Sequence, residues 1–128
     1  RYCLAILRST PRRPSTWRTE ILDGCSPDRI APDFRPAAVL LDSLTLWISE
    51  RFQKQSPAVL RNNLESLLRS FQRRAPLIVV SDEVGMGLVP VSKSGRAFLA
   101  ALGRSNAFVA DLAGAVFFVV SGRPIRIK

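Results

Sequence analysis

Two short apolar runs constrain this chain more than any other feature, because each ends abruptly on acids and a capped helix lies between them. Ala37-Ala38-Val39-Leu40-Leu41 stops at Asp42, and Leu77-Ile78-Val79-Val80 stops at Ser81-Asp82-Glu83. A run of four or five apolar residues without alternation reads as a strand covered on both faces, the kind found in parallel sheets. Between the runs, Ser56 before Pro57 supplies a helix N-cap and first-turn pair. Leu60, Leu64, Leu67, Leu68 and Phe71 then recur at helical spacing as one stripe. Arg73-Arg74 place positive charge near the helix end, and Pro76 stops it. Strand, helix and strand in this order predict an α/β layered domain with a mainly parallel sheet.

The rest of the chain fits around that frame. A helix is expected after Asp42, through Leu46, Trp47 and Phe52. The loop Val84-Gly85-Met86-Gly87 leads to residues 94–112, where Phe98, Leu102, Val109 and Leu112 can share a helical face. Ala115-Val116-Phe117-Phe118-Val119-Val120 reads as a third strand. Gly122-Arg123-Pro124 turns the chain, and Ile125-Arg126-Ile127 alternates like an edge strand. Residues 1–36 differ, because Pro11, Pro14, Pro27, Pro32 and Pro36 interrupt any long element. The expected organisation is one α/β domain over residues 1–128, a Pro/Arg-rich segment at 1–36 preceding a strand-helix core at 37–128. With 128 residues, 47 % of them hydrophobic, one domain with a substantial core is within reach.

Composition removes several function classes. No run of about 18 uncharged apolar residues exists, which excludes a transmembrane helix. The apolar stretch Cys3-Leu4-Ala5-Ile6-Leu7 is too short for a signal peptide. Two cysteines, Cys3 and Cys25, make neither a disulfide framework nor a metal site. There is no histidine, so imidazole general-base chemistry is excluded and a zinc site is not expected. A cytoplasmic location is the expectation. The formal net charge is +9, with sixteen arginines to three lysines. Guanidinium groups grip phosphates bidentately, so a nucleotide or nucleic-acid partner enters the reckoning. The charges are scattered rather than gathered into one stripe, which argues against a dedicated nucleic-acid binder.

In open α/β sheets, ligands gather at the carboxyl ends of the strands. Two such ends carry acids here, Asp42 with Ser43 and Thr45, and Asp82 with Glu83. An aspartate following an apolar strand can hold magnesium or its water shell, because a hard cation takes oxygen ligands. The plainer reading is a polar strand end that caps the next helix. A phosphate-binding loop would need Gly-x-x-x-x-Gly-Lys-Ser/Thr, and none is present. Gly85-Met86-Gly87 is shorter, lacks the lysine, and reads as a structural turn. Asp42 and Glu83 are expected at the carboxyl ends of adjacent or near-adjacent parallel strands, facing one crevice.

Four stretches carry a resemblance. Ser81-Asp82-Glu83-Val84-Gly85-Met86-Gly87-Leu88-Val89-Pro90 resembles the V-S-N-E-V-G-x-G-I-V-P signature of the bifunctional adenosylcobinamide kinase/adenosylcobinamide-phosphate guanylyltransferases. Arg13-Pro14-Ser15-Thr16-Trp17-Arg18-Thr19-Glu20 resembles their R-P-x-x-W-x-T-x-E segment. Leu40-Leu41-Asp42-Ser43-Leu44-Thr45-Leu46-Trp47 resembles the V-D-C-L-T-L-W strand end. Val119-Val120-Ser121-Gly122-Arg123-Pro124-Ile125-Arg126-Ile127-Lys128 resembles the V-V-A-G-x-P-x-x-x-K ending. The resemblance implies a P-loop NTPase-like, RecA-like α/β fold with flanking helices. It also implies an enzyme of cobalamin (vitamin B12) synthesis that phosphorylates adenosylcobinamide with ATP or GTP and then transfers GMP from GTP through a guanylylated histidine. Magnesium, adenosylcobinamide and a homo-oligomer, a trimer in the family, come with it; a membrane partner does not.

Departures from the family pattern accompany the matches. The family opens with a strand and G-x-x-R-S-G-K-S, so the N-terminal strand and P-loop are expected to be missing from this chain. Ser9 stands at the family's histidine position and forms no phosphoramidate, which leaves no catalytic residue to name. The positions that approach the guanine nucleotide fall on Thr10, Pro11, Arg12 and Arg13, and the acids for the same nucleotide fall on Glu20 and Asp42. Asp42 is also the candidate for magnesium, while Asp82, which replaces the signature asparagine, and Glu83 form a further candidate site. In the last helix the pattern F-R-D-x-x-G-x-x-N-Q becomes Phe98 to Ala107, with Leu99, Ala100 and Ala107 replacing polar residues and Gly103 and Asn106 kept. These changes predict an enzyme impaired or inactive as the chain stands. Two alternatives stay open: a non-catalytic nucleotide-binding or oligomer-forming remnant, and a basic nucleic-acid-binding domain.

Overall fold

A computed structural model describes residues 3–6, 15–20 and 35–128. The chain divides into two compact units, Arg1–Asp82 and Glu83–Lys128. The first holds a four-stranded sheet in the order β2-β1-β3-β4, where β1 is Cys3–Ile6, β2 Trp17–Glu20, β3 Ala38–Asp42 and β4 Leu77–Val80. All three pairings are parallel. The two apolar runs of the sequence are therefore neighbours, with Val39 opposite Leu77 and Asp42 opposite Val80.

Two strands arise where the sequence reading saw only proline-interrupted chain. Cys3–Ile6 occupies an interior position of the sheet, and Trp17–Glu20 an edge. Prolines at 11 and 14 break long elements but leave room for four-residue strands on either side, and a parallel partner supplies the rest of the hydrogen bonding.

The connection from β3 to β4 is helical, as parallel neighbours require. Helix α1, Leu44–Ser49, is capped by Ser43, whose side chain accepts from the Leu46 amide at 3.3 Å. It buries Leu44, Trp47 and Ile48, and Arg51 lies over the Trp47 ring at 4.6 Å while donating to the Trp47 carbonyl. Helix α2, Pro57–Gln72, starts as the sequence predicts, with Ser56 accepting from the Val59 amide and Pro57 in the first turn. All five stripe residues, Leu60, Leu64, Leu67, Leu68 and Phe71, are buried. With Val39 and Leu41 they form the core of this unit. At about 1.5–3 kcal/mol for each large apolar side chain, this stripe outweighs any helix propensity term. The sheet is not covered equally on both sides: Val39 and Leu41 are buried, whereas Ile78 and Val80, on the opposite face of the register, are exposed.

In the second unit, helix α3 spans Lys93–Leu112 behind an Ser92 N-cap that accepts from the Gly95 amide at 3.0 Å. Its buried residues are Ala101, Leu102 and Ser105, so the expected face is corrected: Leu102 holds, Phe98 and Val109 are half-buried, and Leu112 is exposed. Leu112 sits in the last turn, beyond reach of the stripe centred on Leu102.

β5, Phe117–Val120, pairs with β6, Arg123–Arg126, as an antiparallel ribbon and not with the parallel sheet. The reason is the two-residue turn. Ser121 and Gly122 both have positive φ, 49° and 73°, the combination that joins twisted antiparallel strands most tightly. Lys128 ties the ribbon down by donating from Nζ to the carbonyls of Ala110 and Asp111, at the C-terminal end of α3 where a cation is favoured.

Candidate functional site

Because β1 to β4 are all parallel, their carboxyl ends lie along one edge of the sheet. The register sets Ile6 beside Glu20 and Leu41, and Asp42 beside Val80. Two of the acids singled out from the sequence, Glu20 and Asp42, are thus the last residues of β2 and β3, with β1 between them.

The Asp42 end is the best defined. Asp42 is half-buried, and among the described residues no hydrogen bond or ion pair engages its carboxylate. The Asp42–Ser43 peptide bond is cis. Ser43 is committed to capping α1. Thr45, in the first turn of α1, reaches the neighbouring strand end: its Oγ1 accepts from the Asp82 amide at 2.9 Å and lies 3.5 Å from Ser81 Oγ. That hydroxyl joins the segment after β3 to the segment after β4, and so fixes where the backbone of Asp82 stands relative to Asp42. The sequence reading placed Thr45 beside Asp42 without giving it this role. No local signal could have shown it, because its partner lies 37 residues away.

Glu83 opens the second unit and turns onto its own loop, its Oε1 accepting from the Gly85 amide at 2.7 Å. A Cβ at Gly85 would stand 2.7 Å from that oxygen, so a larger residue there would make the end of the Glu83 side chain move aside. The carboxylate that the sequence offered as a ligand is engaged in shaping residues 83–85.

Ser9, Thr10, Pro11, Arg12 and Arg13 fall between β1 and β2 in the chain and lie outside the described residues. Among the described residues no three His, Cys, Asp or Glu side chains gather as a metal cluster. A nucleotide-bound magnesium does not need one: it takes one or two carboxylates, waters and phosphate oxygens. The unengaged, half-buried Asp42 fits that chemistry. No described helix is long and apolar enough to cross a membrane.

The family model described as cobinamide kinase / cobinamide phosphate guanyltransferase matches residues 5–127, nearly the whole chain. The chain belongs to that family. A curated relative from Pseudomonas aeruginosa, the bifunctional adenosylcobalamin biosynthesis protein CobP, is 32 % identical over 123 residues, covering 91 % of this chain and 69 % of the relative. The bifunctional adenosylcobalamin biosynthesis protein CobU of Escherichia coli is 32 % identical over 132 residues, with 91 % of this chain and 72 % of the relative covered. The Salmonella typhimurium protein of the same name is 32 % identical over 134 residues with the same coverage.

Proposed function

We propose that this chain binds GTP or ATP along the carboxyl ends of β1 to β4 and serves the cobinamide phosphorylation step of cobalamin biosynthesis, on a sheet of the P-loop NTPase kind. The observation that carries this reading is the half-buried Asp42 carboxylate, unengaged among the described residues, at the strand edge of a family member. Asp42 would hold magnesium or its water shell. Bound there, the ion would neutralise charge on the phosphates. Thr45 keeps the Asp82 segment in place beside it. Glu20, Thr10, Pro11, Arg12 and Arg13 are assigned to the guanine nucleotide through the family pattern, the arginines as partners for phosphate oxygens. A cytoplasmic enzyme working as a homo-oligomer fits the same family.

Guanylyl transfer is the step this chain's residues do not support. Its nucleophile must be a nitrogen whose GMP adduct stays labile, and Ser9 stands where the family has histidine. A serine hydroxyl needs an adjacent base to attack, and these 128 residues contain no histidine to provide one. Titrating GTP and ATP with magnesium into the wild type and Asp42→Asn tests the binding half. Binding weakened at least tenfold by Asp42→Asn supports the reading; equal affinity for the two proteins removes Asp42 from the site.

A further inference from the structure

The four-stranded sheet has two edges, and the sequence treats them differently. β2, at one edge, carries the exposed Arg18, a charge of the kind that keeps a strand edge from pairing with another chain. β4, at the other, is Leu77-Ile78-Val79-Val80, and residues 75–81 hold no charge at all. Its open side is also a hydrogen-bonding surface. The Val39 amide donates to the Pro76 carbonyl at 2.9 Å, so Pro76 and, by the alternation of a strand, Ile78 and Val80 turn their backbone groups towards β3. The amides and carbonyls of Leu77 and Val79 therefore point to the open side, where β4 has no strand neighbour among the described residues. On the face opposite Val39 and Leu41, Ile78 is 56 % exposed and Val80 41 %. An edge this apolar and this unguarded is a template for a further strand.

The charges at its two ends narrow what that strand is. Arg73 and Arg74 precede β4, and Asp82 follows it. The edge is basic at its amino end, uncharged along its length and acidic at its carboxyl end. An identical edge laid against it antiparallel meets each end with its opposite. A two-fold axis normal to the sheet produces that arrangement, the self-complementary contact of a closed dimer. With the axis at Ile78, Leu77 of each copy lies opposite Val79 of the other, and these are the residues whose amides and carbonyls face outward. The same register brings Asp82 of each copy level with Arg74 of the other. Each copy carries +9, so two copies repel as wholes and favour a contact free of positive charge, which residues 75–81 provide.

We propose that the β4 edge is an interface between two copies of this chain, paired antiparallel about Ile78 so that their sheets run on into one. The contact needs no nucleotide, so it stands or falls apart from the functional reading above. An edge of four residues is small, and the dimer is expected at micromolar concentration. Sedimentation velocity across micromolar concentrations tests it on the full chain as wild type, Ile78→Lys, Ile78→Glu and Val79→Pro. A charge at 78 faces its own copy across the axis, where like charges repel. Proline at 79 removes an outward amide and no bond to β3. Trp47 fluorescence shows whether each variant keeps the buried core. The wild type is expected to pass from monomer to dimer as concentration rises, and each variant alone to associate at least tenfold more weakly. An equimolar mixture of Ile78→Lys and Ile78→Glu should regain the dimer. A wild type that stays monomeric or forms a trimer overturns the proposal. So does an Ile78→Lys protein that dimerises like the wild type, or a mixture of the two charge variants that stays monomeric. Should a charge at 78 unfold the chain, Val79→Pro decides: a folded variant that still dimerises like the wild type overturns the pairing, and a folded monomer upholds it.

Discussion

Phe71→Ala separates packing from helix propensity in the unit that carries the acids. Phe71 is fully buried at the end of the α2 stripe, among the largest side chains of the core. Truncating a buried phenylalanine costs about 3–5 kcal/mol, from lost transfer free energy and the cavity left behind. Alanine is the better helix former by roughly 0.5 kcal/mol, so propensity pushes the opposite way and is several times too small to compensate. A net loss of about 3 kcal/mol is expected, a large part of the roughly 5–15 kcal/mol that stabilises a domain. Phe71→Leu keeps most of the volume and should cost under about 1.5 kcal/mol. Urea unfolding followed by Trp47 fluorescence reads this unit, because Trp47 is buried beneath the Arg51 guanidinium. A Phe71→Ala loss below about 1 kcal/mol, or the same loss for alanine and leucine, would refute a core built on the α2 stripe.

Two further outcomes follow from single hydrogen bonds and dihedrals. Thr45→Val removes the acceptor of the Asp82 amide at an exposed position, so stability should fall by only about 0.5 kcal/mol. GTP affinity should fall severalfold and return in Thr45→Ser; a valine variant with wild-type affinity would make the bond incidental to the site. Ser121→Asn, at a positive-φ turn position that asparagine tolerates better, should stabilise the β5–β6 ribbon by about 0.5 kcal/mol, read as a higher Tm. A lower Tm would show that the turn does not hold this conformation in solution.

What could be read from the sequence was whatever local pattern decides. The α2 stripe, its Ser56-Pro57 start and the two apolar runs that became β3 and β4 were all visible, because burial and capping leave periodic and positional marks. Cys3–Ile6 and Trp17–Glu20 were not seen as strands. Four residues carry no period, and their partners lie far away in the chain. The third strand and the strand beyond its turn were legible, but an apolar run does not say whether its neighbour is parallel; the Ser121-Gly122 turn settles the antiparallel pairing of β5 with β6. The position of Asp42 at the end of β3 was legible from the apolar run before it. Glu83, named with Asp82 as a further candidate, accepts from the Gly85 amide through one carboxylate oxygen, a contact set by the loop's shape that no sequence pattern marks.

The central claim is a nucleotide site at the strand edge without the means to form a guanylylated intermediate. Incubating the chain with magnesium and GTP labelled at the α-phosphate, then splitting the sample between a native filter and acid denaturation, tests both halves at once. The account predicts label retained on the native filter, strongly reduced in Asp42→Asn, and none left on the denatured protein. Label that survives denaturation, or no label on the native filter, would contradict it.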